Sequence, residues 1–573
     1  MHIAAFRLFG GFAATLVSLL GCSASSNPAT TPGPTNGIVP YGVYVFHSRF
    51  IPAPDETVTF TATTPDGATT TAIVINVDGA NVQTCSSSPC VYTASYSTEG
   101  SHSYYATATF AGSPSARDPA SDAKAFTASS MTRKTLSSCQ DITETGYYLL
   151  TQDLTDADHC FVITAAHDVV LDGWDSTLGR RHTITLTGAP DCGSGMCAVQ
   201  TRNSSSVTVT NVESTAGGRE FSCYDVQAAN VTFENSAFDS LSFYCPAKDL
   251  VVRNNSLKSL SVNGGGTCEA PAVPERMQIL HNRVVNDGPG AFSIIGGPRI
   301  WNDADCLHFE VNGLIEDNFF KSDYPNPDTD AMAYIRGGIA HSTFRNNRFI
   351  SRAGLAAVYI RDGADNNLWE NNYFEAQDSE RGALFIGPGN GTPWPADNIF
   401  RNNFFRGVNS GAVGDGGWSG TGNTYENNVF WAGNGQTAYT YHNMFSGENT
   451  VIRHNTFYSE DAATGALRLG SPSVTFENNI VVHKSASNIF DSTGCNADGY
   501  SGDDNVFFGH ETPPLQLCGL SFTDWRTQTG DDANSLEADP LFVDPTGGDF
   551  HLQSSSPACN LGGDYAGAFP RGG

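Results

Sequence analysis

The chain has 573 residues, of which 59 are glycine and 16% are charged, and its net charge is −29. So acidic a chain is a poor bare ligand for nucleic acid, whose phosphates need Lys and Arg. It would also repel an acidic polysaccharide unless basic side chains or bound cations are concentrated locally. Abundant glycine and sparse charge suit a turn-rich β protein, and the length allows two or more domains.

Residues 1–21 read as a targeting segment: a short start carrying Arg7, an apolar run Leu8–Gly21, then Cys22. That run is too short to span a bilayer. The ending Leu19-Leu20-Gly21-Cys22 resembles a bacterial lipobox. The resemblance implies cleavage before Cys22, lipid on its thiol, and export to the outer membrane or cell surface. Residues 22–37, rich in Ser, Pro, Thr and Asn, cannot bury enough apolar surface to order themselves and read as a tether.

From 38 to 128 the pattern alternates apolar and polar residues, as in Val58–Ala62, Ala72–Val77, Val91–Tyr96 and Ser103–Phe110. Short strands between Gly, Pro, Asp and Ser turns predict a small β-sandwich, similar to the immunoglobulin-like modules of bacterial surface proteins. Cysteine usage agrees with export. Apart from Cys22, near neighbours suggest the pairs 85/90, 139/160, 192/197, 223/245, 268/306 and 495/518, leaving Cys559 over.

A second unit, 134–573, is organised by a repeat. Its corners include Asn254-Asn255-Ser256-Leu257, His281-Asn282-Arg283-Val284 and Asp317-Asn318-Phe319-Phe320. Asn346-Asn347-Arg348-Phe349, Asn371-Asn372-Tyr373-Phe374 and Asn402-Asn403-Phe404-Phe405 continue it, as far as Asn478-Asn479-Ile480-Val481. From Asn318 onward the steps are 29, 25, 31, 25, 27 and 24 residues. Such a period marks a stacked solenoid. Asn tolerates the left-handed corner conformation and can hydrogen-bond to the Asn of the next coil, while the apolar residue two places on turns inward. Opening segments at Cys139–Leu154 and Cys160–Gly173 resemble those of secreted, pectin-lyase-like right-handed parallel β-helix proteins. The tail Ala538–Cys559 resembles their closing segment, expected to cap the last coil's open edge.

No phosphate-binding G-x-x-x-x-G-K-[ST] loop, H-E-x-x-H helix or G-x-S-x-G elbow occurs. The closest local repeat is Ala333-Tyr334-Ile335-Arg336 and Val358-Tyr359-Ile360-Arg361, offset by 25 residues, like Asn346 and Asn371. With both Ile facing the core, strand alternation puts Tyr334, Arg336, Tyr359 and Arg361 on an exposed outer face. Paired guanidiniums there suit a carboxylate or sulfate, and Tyr can stack on sugar or carry a proton. Alternatively Asp328, Asp330 and Asp362 neutralise the two Arg, and Tyr-Ile-Arg is ordinary strand sequence. Arg468 stands ten residues before Asn478, the same offset as Arg336 from Asn346.

Residues 314–405 resemble core coils of the alginate lyase and chondroitinase B family, on the basis of Asp330, Arg336 and Arg361-Asp362-Gly363, each ahead of an Asn-Asn-x-Phe corner. The resemblance implies β-elimination from an acidic polysaccharide. Arg336, however, stands where that family has a Lys base, and Asp362 where it has His; Arg stays protonated, so a base would have to be Tyr334 or Tyr359. Asp328 and Asp330 are candidate Ca²⁺ ligands, and Trp394 and Trp418 candidate sugar-stacking residues. The expected protein is a monomer that binds an acidic polysaccharide or cell-surface glycan, with elimination the favoured reaction if it is an enzyme. A non-catalytic adhesin is the alternative; a glycoside hydrolase, needing two carboxylates roughly 5 to 9 Å apart, is a further one.

Overall fold

The computed structural model describes residues 42–569 except 65–67, 112, 119–122, 158, 189–196, 215–220, 224–228, 244–247, 264, 268–269, 273–274, 287–292, 297–308, 311, 324–332, 337–338, 362, 380, 388–393, 416–419, 434–442, 446, 461–465, 471–472, 485–487, 491–494, 496 and 510–513. Cys22, Asp328, Asp330, Asp362 and Trp418 therefore lie outside the described residues.

The N-terminal unit is a β-sandwich. Tyr44–His47, Thr57–Thr63 and Cys90–Ser95 form one antiparallel sheet, and Ala80–Cys85, Thr70–Val77, Gly100–Phe110, Ser113–Asp118 and Lys124–Ala128 the other. The alternation seen in sequence becomes the interior: Val45, Val58, Phe60, Ile73, Ile75 and Ala106 are fully buried between the sheets.

The remainder is a parallel β-helix. A 15-stranded sheet forms one wall, and a 26-stranded sheet supplies two further stacks of strands. Within one coil the three walls are Leu368–Glu370, Tyr373–Ser379 and Leu384–Ile386, here called the first, second and third sheets. Each pairs in parallel with its counterpart in the next coil, Trp369↔Phe400, Phe374↔Phe405 and Phe385↔Gly414. Registered this way, the inward Phe of each corner motif stacks on its neighbours. Ring centroids lie 5.0 Å apart for Phe320/Phe349, 5.3 Å for Phe349/Phe374 and 4.7 Å for Phe374/Phe405. Each such buried ring contributes about 2–3 kcal/mol relative to exposure.

The two corner residues divide their work. The first takes the left-handed conformation, with φ of 53° at Asn254, 57° at Asn346 and 55° at Asn371. The second points inward and builds a ladder. The Asn347 amide nitrogen donates to Asn372 Oδ1 at 3.0 Å and to the Ile315 carbonyl at 2.8 Å, and its backbone N–H donates to the same Asn372 oxygen at 2.9 Å. This repeats from Asn255 to Asn505. A shorter ladder, Asn367–Asn398–Asn423, runs up another corner. Buried amides so paired avoid the cost of an unsatisfied polar group.

Outside the first sheet, the residue preceding each left-handed corner forms a charge ladder that the sequence reading did not pick out. Glu316, Arg345, Glu370, Arg401, Glu426 and Arg453 occupy one column. The ion pairs are Arg345–Glu316 at 2.6 Å, Arg401–Glu370 at 2.7 Å and Arg453–Glu426 at 2.7 Å. Alternating sign along stacked coils satisfies each guanidinium without a second partner element.

The end of the solenoid differs from expectation. The core is closed by helix α1 (Phe522–Thr529), which inserts Phe522 and Trp525; the Trp525 indole donates to Asp532 at 2.9 Å. The tail after Ala538 instead lies along the outer flank of the second sheet. Phe542, Phe550, Leu552 and Phe569 pack with Phe404, Val429, Tyr458 and Ile480. Two backbone contacts hold it: Ala568 N–H to Thr456 Oγ1 at 3.0 Å and Gly567 N–H to the Asn478 carbonyl at 2.8 Å. That flank is apolar at these coils, so a segment folded over it buries more than one laid on the last coil's edge.

The sandwich is joined to the first coils by buried polar contacts. Arg49 Nη1 is 3.6 Å from Asp172, and Asn211 donates to Asp172 at 3.0 Å and to the Ser48 carbonyl at 2.8 Å. Disulfides link Cys85–Cys90, Cys139–Cys160 and Cys495–Cys518. Cys559, left over by spacing alone, is also disulfide-bonded.

Candidate functional site

The third sheet carries the Tyr–Arg repeat. Tyr334 registers with Tyr359 and Ile335 with Ile360. Both Ile are fully buried in the core, and the neighbours of Ile360, Tyr359 and Arg361, are directed outward. For Tyr334 and Arg336 the backbone is described and the side chains are not. Tyr359 and Arg361 do not stand open to solvent as the pattern alone suggests: they are 7% and 9% exposed. The Tyr359 ring lies 4.7 Å from that of Phe385 in a small cluster with Ala356, separate from the main core. The Arg361 guanidinium carbon is 5.3 Å from the Tyr359 ring centre. The face is outward but covered, which strengthens any electrostatic contact made there.

The next residue in the Arg336–Arg361 column is Gly387, whose N–H donates to the Ile360 carbonyl at 3.1 Å. A Cβ at Gly387 would stand 3.0 Å from the Phe385 ring and 3.5 Å from the Tyr359 hydroxyl oxygen. Glycine thus leaves room for the Phe385 ring. Arg468 falls elsewhere than its offset suggests. The register Tyr359↔Phe385↔Gly414↔Met444↔Arg468 puts it in the tyrosine column, because intervening loop lengths differ. Trp394 is partly exposed. No group of three or more His, Cys, Asp or Glu suited to a metal occurs among the described residues.

A second outward surface was not anticipated. On the second sheet, one column reads Arg283, Phe319, Arg348, Tyr373, Phe404, and the next reads Lys321, Ile350, Glu375, Arg406, Trp431. Arg348 lies over the Tyr373 ring at 4.8 Å, and Arg406 over Trp431 at 4.6 Å. Glu375 accepts from the Tyr373 hydroxyl and pairs with Arg406 at 3.3 Å. Trp431 donates to Glu460 at 3.0 Å. Burial, then the Glu375 charge, pushes the Tyr373 phenol well up. Such a phenol is a poor base, and the far end of this surface, Phe404 and Trp431, is covered by Phe550 of the tail. Its signal was legible one and three residues after each Asn-Asn pair, as in Asn-Asn-Tyr-Phe-Glu and Asn-Asn-Phe-Phe-Arg.

No family model matches the chain, and no curated protein matches it. Solved structures similar to the chain include the following three. PfbA, a surface adhesin of Streptococcus pneumoniae, is 12% identical over 67% of this chain and 81% of its own, with a TM-score of 0.28. The Yersinia enterocolitica family 28 exopolygalacturonase is 10% identical over 83% and 98%, with a TM-score of 0.25. The catalytic domain of a GH87 α-1,3-glucanase is 11% identical over 89% and 94%, with a TM-score of 0.22. The parallel β-helix assignment rests on the strand order and registers above.

Proposed function

We propose that this protein binds an acidic polysaccharide through the Tyr–Arg face of the third sheet and is held at the cell surface by lipid on Cys22. The observation that carries the reading is the packing of the nearly buried Arg361 against the Tyr359 ring, one coil from Tyr334 and Arg336 in the same strand register. A guanidinium in so dry a setting grips a carboxylate more strongly than one in water. Disulfides in both units suit an oxidising exterior.

β-Elimination is the second reading, favoured by the nearness of the Tyr359 ring to the Arg361 guanidinium. There Arg361, with Ca²⁺ at Asp328 and Asp330, would neutralise the uronate carboxylate, the Tyr359 phenolate would take the C5 proton, and the C4–O bond would break to leave a C4–C5 double bond, the departing glycosyl oxygen taking a proton from the Tyr359 phenol or from water. Trp394 and Trp418 would flank the bound chain. The test compares wild type with Arg361→Ala and Tyr359→Phe on alginate, pectate and glycosaminoglycans, reading binding and the absorbance of unsaturated product. Loss of binding in Arg361→Ala supports the glycan site. Product from wild type but not from Tyr359→Phe supports elimination, whereas binding without product leaves an adhesin. Unchanged binding in Arg361→Ala ends the reading. Release of protein from the membrane fraction by Cys22→Ala tests the anchor.

A further inference from the structure

The sandwich and the solenoid enclose a cleft of about 770 Å³. Its floor follows the second sheet's outward column through Ser256, Arg283 and Phe319, so it runs along the stacking direction, as a linear ligand requires. Its roof includes Tyr44, Phe46 and the loop bearing Ser86 and Ser87.

The charge of this cleft is opposite to that of the whole chain. Arg181 lines it with no ion pair among the described residues; burial pulls its pKa down, and Glu213 is the acidic group facing it. Arg283 lines it too, exposed, its guanidinium carbon 5.9 Å from the Phe319 ring centre. The remaining titratable pair at the floor is His281 and Asp317. Burial, then Lys124 and Arg253, moves the His281 pKa well below its usual value, and burial, then Glu316, moves that of Asp317 well above the usual carboxylate range, each towards the neutral form. Two guanidiniums thus dominate a semi-enclosed groove with serine hydroxyls and aromatic faces on its opposite wall. Guanidinium for an acid group, hydroxyl for hydroxyl and ring face for sugar face is the complement of an acidic saccharide.

We propose that this cleft is a second saccharide site, taking a segment of acidic glycan whose carboxylate or sulfate is gripped by Arg181 and Arg283. It rests on the acidic-glycan reading for its ligand class but uses a surface separate from the Tyr–Arg face. The sandwich becomes half of a binding site rather than a spacer.

The test is hydrogen exchange of the full chain with oligogalacturonate, alginate oligomers or heparin oligosaccharides, beside the Arg181→Ala/Arg283→Ala double variant. The expected result is protection over 42–46, 86–89 and 281–283, and binding weakened about ten-fold or more in the double variant at an unchanged melting temperature. Heparin alone would assign the site to sulfate, and the uronate oligomers alone to carboxylate. Protection confined to 358–386, with wild-type binding by the double variant, overturns the cleft and leaves the Tyr–Arg face standing. Protection of the cleft without 358–386 removes that face and keeps the cleft. No protection at either place removes both, and equal protection by a neutral oligosaccharide overturns the role given to Arg181 and Arg283.

Discussion

The Nδ1 of His281 lies 3.5 Å from a carboxyl oxygen of Asp317, at the left-handed positions of two successive corners, with Gly42 of the sandwich closed over them. Elsewhere the same position is mostly Asn. Folding raises the Asp317 pKa, so stability attached to its proton is full below the unfolded value near 3.8 and is lost as pH rises towards the folded one. Folding lowers the His281 pKa, so its contribution is present above 6.5 and is lost as pH falls below it. Asp317→Asn should therefore raise the melting temperature at pH 8 by about 1 °C or more, a gain that vanishes towards pH 4. His281→Asn should help only on the acid side. Thermal melts across pH decide both; a gain from Asp317→Asn that grows as pH falls would refute the assignment.

The two corner residues should respond differently to substitution. Asn371→Gly keeps the left-handed conformation and should be nearly neutral. Asn372→Ala removes its 3.0 Å bond to Asn403 and strands the Asn347 donors, and should cost about 1–3 kcal/mol. Denaturant unfolding of the two variants would check this, and equal losses would show that the division of labour is wrong.

The charge ladder predicts a salt-dependent hierarchy. Glu370→Gln should cost under about 1 kcal/mol, since Arg401 is 42% exposed and solvent screens the pair. E370R should cost more, because it sets a third cation between Arg345 and Arg401 in adjacent coils. Added salt should narrow the gap between the variants; a gap unmoved by salt would point to packing instead.

The tail's place on the flank makes Phe550 a structural anchor. It is fully buried against Phe404, Trp431 and Tyr458. Phe550→Ala should destabilise the tail by about 3–5 kcal/mol and expose 538–569 to limited proteolysis before the solenoid opens. A tail that resists protease as wild type does would contradict the packing.

The period, the inward aromatic column and the corner asparagines were legible in sequence because each is local: a short repeat states which residue turns, which pairs and which points inward. The alternation that makes Val58, Phe60 and Ile75 the sandwich interior is local in the same sense. The charge ladder was equally present as Glu and Arg alternating before successive corners, yet it has meaning only once the coils are registered. What covers each outward face is decided by tertiary structure alone. Strand alternation places Tyr359 and Arg361 outside, but only packing around Phe385 makes them nearly buried. Loop lengths move Arg468 out of its apparent column. The descent of the tail onto the second sheet, and of the sandwich onto Arg283 and Asp317, brings together residues hundreds of positions apart. No periodicity encodes such contacts, because burial of one surface by another depends on the shape of both.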